Sequence, residues 1–287
     1  MEKEIRLDYL KRLFTPYKKE GKWECFLLQY LEGSGNELKE KFWSPNSSSR
    51  LCFDLYSWMG SDPDYKVIEF EKKLPGIISK GREVHPNMDV FFENNDGLFF
   101  IESKYTERTH NDNFKKDLPE AYWNINETYK NSKGKDTKYS ITKRYHEKED
   151  VKEAFVKFIK EIEDEALKED KDSWFDAKQE TCHLLGIVIF ALEGKPTKPI
   201  HFLNIAANYE DDDTFAEFFR SKAEAMVNGL FVSNAVNASF EYRLCSVKDY
   251  FENSILDKKG YQTDKTIREI LADRKRYLQD PLCPPLH

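Results

Sequence analysis

The 287-residue chain contains no run of about 18 apolar residues, so its sequence offers no membrane-spanning helix. Its opening, Met1-Glu2-Lys3-Glu4-Ile5-Arg6, lacks the apolar stretch of a secretory signal. The expectation is a soluble, cytoplasmic protein with no membrane partner. Cysteine is scarce. Cys25, Cys52, Cys182, Cys245 and Cys283 are odd in number, scattered, and never spaced as C-x-x-C, which argues against a disulfide framework and against a zinc site. A G-x-x-x-x-G-K phosphate loop is missing, as is any internal repeat, so nothing indicates a nucleotide-driven motor. Positive charge is also short. The formal net charge is -7, whereas duplex-binding proteins usually concentrate Lys and Arg. Local basic groups do occur at Lys72-Lys73, Lys80 with Arg82, Lys115-Lys116 and across 133–144, within a surface that is otherwise mixed and solvated.

Aromatic residues are plentiful. With 39% hydrophobic residues, 21 Phe and 15 Tyr, the chain has ample material for a packed core. The most informative stretch is Pro86-Asn87-Met88-Asp89-Val90-Phe91-Phe92, a turn at Glu93-Asn94-Asn95-Asp96-Gly97, and Leu98-Phe99-Phe100-Ile101-Glu102-Ser103-Lys104. Two apolar runs around an Asn/Asp/Gly cluster predict a β-hairpin. A turn centred between Asn95 and Asp96 sets Asp89 opposite Glu102, and facing residues have Cβ atoms about 4.5–5.5 Å apart. Lys104, two positions on, shares the face of Glu102. Opposed like charges are destabilising on a sheet, and a divalent cation would turn that repulsion into attraction. Taken singly, Asp, Glu and Lys are ordinary at a strand end that reaches water; the register is what joins them.

Pro86, Asp89, Glu102 and Lys104 resemble the motif of the PD-(D/E)xK nuclease superfamily, the group of many restriction endonucleases. The proline stands three residues before the aspartate instead of beside it. The resemblance implies a metal-dependent endonuclease that hydrolyses phosphodiester bonds in DNA, with Mg²⁺ (or Mn²⁺) held by Asp89 and Glu102, and Lys104 orienting or activating the attacking water. The order glycine-rich turn, Asn36-Glu37-Leu38, then Ser47-Ser48-Ser49 and a helix is similar to the start of a bacterial restriction-endonuclease-like subgroup. There an extra acid comes from the first core helix, a role that Glu37 matches, with Glu40 one turn later as the alternative; a helix-surface glutamate is equally ordinary in a chain with 52 acids. Gln179 and His183, four apart on one helix face, match a glutamine on the helix after the lysine-bearing strand and its accessory partner. On an apolar helix, such residues are otherwise buried polar groups that have found a partner.

Along the chain, period-two alternation over 66–75 predicts a strand leading to the hairpin, and apolar groups on both hairpin faces predict helices on both sides of a sheet. Residues 105–150 read as a polar insertion of turns and exposed loop. Helical spacing over 151–166, the stretch from 175 into 192, a strand at 199–206, a helix at 214–227 and a strand at 239–244 follow. Further helices are predicted near 246 and over 263–277. The expected fold is α/β, a restriction-endonuclease-like core with a mixed central β-sheet flanked by helices and with insertions. It forms a single domain over 1–287, whose segment from about 210 to 287 is a C-terminal extension. Cutting double-stranded DNA takes two scissions, which a homodimer would supply, and a restriction enzyme would have a partner methylase; neither leaves a mark in the chain. The competing expectation is a non-catalytic interaction module that keeps the nuclease architecture, which the acidic net charge favours and the complete motif disfavours.

Overall fold

The computed structural model describes residues 29–30, 42, 47–56, 64–75, 77–79, 82–104, 109–110, 128–130, 136–138, 149–166, 172–173, 175–206 and 214–246. The hairpin is its organising unit. Strands β4 (Asn87–Glu93) and β5 (Leu98–Lys104) run antiparallel, and their register, Val90 with Ile101 through Glu93 with Leu98, is the predicted one. The turn explains it. Asn94 Oδ1 accepts from the amides of Asp96 at 2.9 Å and Gly97 at 3.1 Å, an Asx turn that fixes how many residues separate the strands. Gly97 is required there, because a Cβ would lie 2.6 Å from the Pro199 carbonyl oxygen.

Strand β1 (Val67–Lys73), with the alternating pattern predicted for 66–75, pairs antiparallel with β4. Beyond the hairpin, β10 (Ile200–Ala206) pairs parallel with β5, and β11 (Phe240–Ser246) parallel with β10. The five-stranded mixed sheet therefore has the order β1-β4-β5-β10-β11. Parallel neighbours need crossovers, and helices supply them. Helices α2 (Glu149–Ala166) and α3 (Ala177–Gly194) lie between β5 and β10 in the chain, and α4 (Thr214–Ser233) between β10 and β11. Helix α1 (Ser48–Tyr56) precedes β1.

Both faces of the sheet are covered, as the doubly apolar strands require. On one face Phe91, Phe100, Phe202 and Tyr242 meet α3 and α4: Phe190 packs edge-on to Phe100 at 5.4 Å, and Phe219 lies 5.8 Å from Tyr242. On the other, Phe70 and Phe92 meet Phe53 and Tyr56 of α1 at 5.7 and 6.4 Å. Helix α2 packs on α4 through Phe158 and Phe219, 5.2 Å apart.

Four features depart from the sequence reading. A small hairpin, β2 (Ile77–Ser79) with β3 (Arg82–Val84), lies between β1 and β4. The segment read as loop over 105–150 contains β6 (Thr109–His110), which pairs with β9 (Asp172–Ser173), and a hairpin of β7 (Thr128–Lys130) and β8 (Asp136–Lys138). Helix α4 continues past the predicted end at 227 to Ser233, since Leu230 and Phe231 are buried as well. Glu71 of β1 has φ 51, a left-handed conformation that a glutamate in a strand adopts only under tertiary constraint. Ser246, near which a helix is predicted to start, closes β11; the residues beyond it, the helix predicted over 263–277, and Glu37 with Glu40 lie outside the described residues. Among the described residues no helix is long and apolar enough to cross a membrane.

Candidate active site

The predicted acids and lysine meet where the C-terminal ends of β4's partner β5 and of β10 face the first turn of α3. In a parallel α/β arrangement the crossover helix runs back against its strands, so its N-terminus lies beside the strand C-termini, the usual place for sites in such folds. Asp176 caps α3, its Oδ1 accepting from the Gln179 amide at 3.0 Å. That cap fixes the first turn, which carries Gln179 and Glu180, and His183 follows one turn later.

Glu102 is the hub. It is 3% exposed, and its Oε1 accepts from Lys104 Nζ at 2.9 Å and from Gln179 Nε2 at 2.7 Å. Lys104 Nζ also donates to Gln179 Oε1 at 2.5 Å, which closes a triangle of two charged groups and one amide. The amide serves as donor to the carboxylate and acceptor from the ammonium at once, a task that neither a second acid nor a second base could perform. Glu102 Oε2 has no hydrogen bond among the described residues. His183 Nδ1 lies 3.6 Å from it, beyond hydrogen-bond length. Burial lowers the imidazole pKa from its ordinary value despite the opposing pull of Glu102, so this ring is neutral at pH 7.

Asp89 lies in the position that the hairpin register sets opposite Glu102. There the ladder bonds give way to a side-chain bond, Asp89 Oδ2 accepting from the Ser103 amide at 2.8 Å. The carboxylate is thus anchored one residue from Glu102. Burial, then the charges of Glu102 and Glu71, hold its pKa well above the ordinary aspartate value, with Lys104 pulling the other way. Each acid has one oxygen committed to a protein donor. A pair of hard carboxylate oxygens with a buried oxygen left over suits Mg²⁺ or Mn²⁺. Among the described residues no group of three or more His, Cys, Asp and Glu side chains is placed to hold a metal, so such an ion would rely on this pair, on backbone oxygens and on water.

The structure thus brings together Asp89, Glu102, Lys104, Gln179 and His183, while Glu37 lies outside the described residues. Sequence reasoning missed several neighbours. Glu71 stands opposite Asp89 in the β1–β4 register and accepts from Ser49 Oγ at 3.3 Å; only its left-handed backbone marks it, and a sequence does not display that. Asn204, fully buried, is the register partner of Glu102 on β10. Glu180, also fully buried, accepts at Oε2 from the Tyr242 hydroxyl at 2.9 Å. A polar residue in the middle of the mostly apolar β10 was the one available signal for Asn204. Glu180, next to Gln179, had none.

Glu180 gives a pH prediction. Burial first, and then the Glu102 charge, push its carboxyl well above the ordinary glutamate value. Above pH about 4.3 the unfolded chain releases this proton while the folded chain keeps it. Stability from this group is therefore complete below that pH and declines as pH rises toward the folded value, at about 1.4 kcal/mol per pH unit. Glu180→Gln removes the decline, so the variant gains on wild type between pH 4 and pH 7. Urea midpoints at the two pH values check this.

Comparison of the chain with protein-family models, with curated proteins and with solved structures returns no match.

Proposed function

We propose that the protein is a metal-dependent endonuclease that hydrolyses DNA phosphodiester bonds, with a restriction-endonuclease-like core. The observation carrying this reading is the hub at Glu102: a buried carboxylate whose one oxygen is clamped by Lys104 and Gln179 while the other has no hydrogen bond, beside a second anchored acid. A strand end with no chemical task would turn these charges to water. Folding alone gains little from burying them, since apolar residues of similar size are often more stabilising than a buried ion pair. The element order of the main sheet supports the same reading: helix, three antiparallel strands, two helices, parallel strand, with the acids and lysine on the second and third of those strands.

In this reading Asp89 and Glu102 would hold Mg²⁺ or Mn²⁺, which when bound supplies Lewis-acid stabilisation of charge on the scissile phosphate. Gln179 keeps Glu102 in one rotamer, and Lys104 places a positive charge next to the reacting phosphate and the attacking water. Hydrolysis forms one P–O bond to water and breaks one to the leaving sugar oxygen; the water's proton leaves through a group at the site and the leaving oxygen gains one. Double-stranded DNA as substrate and a homodimer as the cutting unit belong to the same proposal.

The test is plasmid cleavage by the full chain with Mg²⁺ or Mn²⁺, and after EDTA. Nicking or linearisation with either metal and its loss on chelation is expected, together with Mn²⁺ binding by calorimetry that Asp89→Asn weakens at least tenfold. A protein that neither cuts nor binds Mn²⁺ is the interaction module instead.

A further inference from the structure

Glu180 has no place in the chemistry above, yet it is fully buried one residue from Gln179, and a carboxyl group in the core is costly unless something compensates. Its partner is Tyr242 of β11, from which Oε2 accepts at 2.9 Å. Tyr242 is itself fixed. Its ring meets Phe202 edge-on at 4.7 Å and Phe219 at 5.8 Å, and it is 1% exposed. The ring of Phe202 in turn meets His183 at 6.2 Å, one turn along α3 from Gln179. Two lines of contact thus run from the far strand of the parallel half to the first two turns of this helix.

Successive helix residues are rotated by about 100°. Tethering position 180 to a rigid strand therefore sets the azimuth of position 179, and the Gln179 amide has to satisfy two bonds of fixed direction, 2.7 Å to Glu102 and 2.5 Å from Lys104. A small roll of the helix would break both. We propose that Tyr242 and Glu180 are positioning residues, whose hydrogen bond holds α3 in the rotation that lets Gln179 bridge Glu102 and Lys104. The raised pKa of Glu180 agrees with a neutral acid in this role, since an uncharged group avoids repelling Glu102. The proposal rests on the nuclease reading for its purpose, though not for its geometry.

The experiment follows the Gln179 side-chain amide protons by NMR in the ¹⁵N-labelled full chain, with the resonance assigned by its loss in Gln179→Ala. Tyr242→Phe and Glu180→Leu break the tether while keeping volume; Glu180→Gln keeps an acceptor for the hydroxyl. In each folded breaking variant, amide exchange at least tenfold faster than wild type is expected, with the wild-type rate in Glu180→Gln. A wild-type rate in a folded breaking variant, or lost protection in Glu180→Gln, overturns the proposal. Plasmid cleavage in the same samples keeps the two readings apart: a wild type that leaves DNA intact removes the nuclease assignment, while the amide result judges the tether alone.

Discussion

Lys104→Ala is expected to lower DNA cleavage by about 10²–10⁴-fold, the range usual for a group that assists proton transfer in the transition state. The side chain is 7% exposed and its ammonium contacts Glu102 and Gln179. Removal therefore acts twice. In the nuclease reading the scissile phosphate loses a neighbouring positive charge, and in any reading Glu102 loses its cation while staying buried, a change that costs about 3–5 kcal/mol in comparable sites. Lys104→Arg should not rescue activity, because a planar guanidinium does not reproduce the point charge at which two acceptors converge. Asp89→Ala should match the loss, since it removes the acid held at the Ser103 amide. Plasmid assays well below each variant's unfolding temperature separate chemistry from stability. Undiminished cleavage by both Lys104→Ala and Asp89→Ala sinks the assignment of this site.

Phe202→Ala should be the most damaging core truncation, at about 3–5 kcal/mol. Phe202 is fully buried on β10, flanked in register by Phe100 and Tyr242, and its ring also meets His183. No neighbouring element can collapse into the space, because both adjoining strands are held by their ladders. For a chain of this size the melting temperature should fall on the order of 10 °C. Val232, 84% exposed on α4, is the control: Val232→Ala should stay within about 0.5 kcal/mol of wild type. Thermal unfolding followed by circular dichroism measures both, and a Phe202→Ala shift no larger than that of Val232→Ala would place the core elsewhere.

What could be read in the sequence was what local chemistry decides. Asn94 and Gly97 specify their turn, the turn specifies the register, and the register sets Asp89 opposite Glu102. The long helices and the β10 strand were legible through apolar spacing. Features set by tertiary contact were not. The β7–β8 hairpin has no apolar alternation to announce it, and Thr128 and Tyr129 sit in a stretch rich in turn-forming residues. Glu71 adopts its left-handed backbone because of what surrounds it. Glu180 looks like any helix-surface glutamate until β11 brings Tyr242 to it from 62 positions away.

The mixed sheet also governs the order of assembly. Its β4–β5 hairpin is closed by the four residues from Asn94 to Gly97, whereas Leu98 of β5 finds its parallel neighbour Ile200 only after about a hundred further residues. Closing so long a loop is slow, and folding rates drop as such distant pairings accumulate. During refolding the two acids should thus meet early, within microseconds of hairpin formation, and await the docking of α3 before their glutamine arrives. In the nuclease reading, millimolar Mg²⁺ relieves that interval of repulsion, and temperature-jump refolding traces with and without it are expected to show a faster early phase.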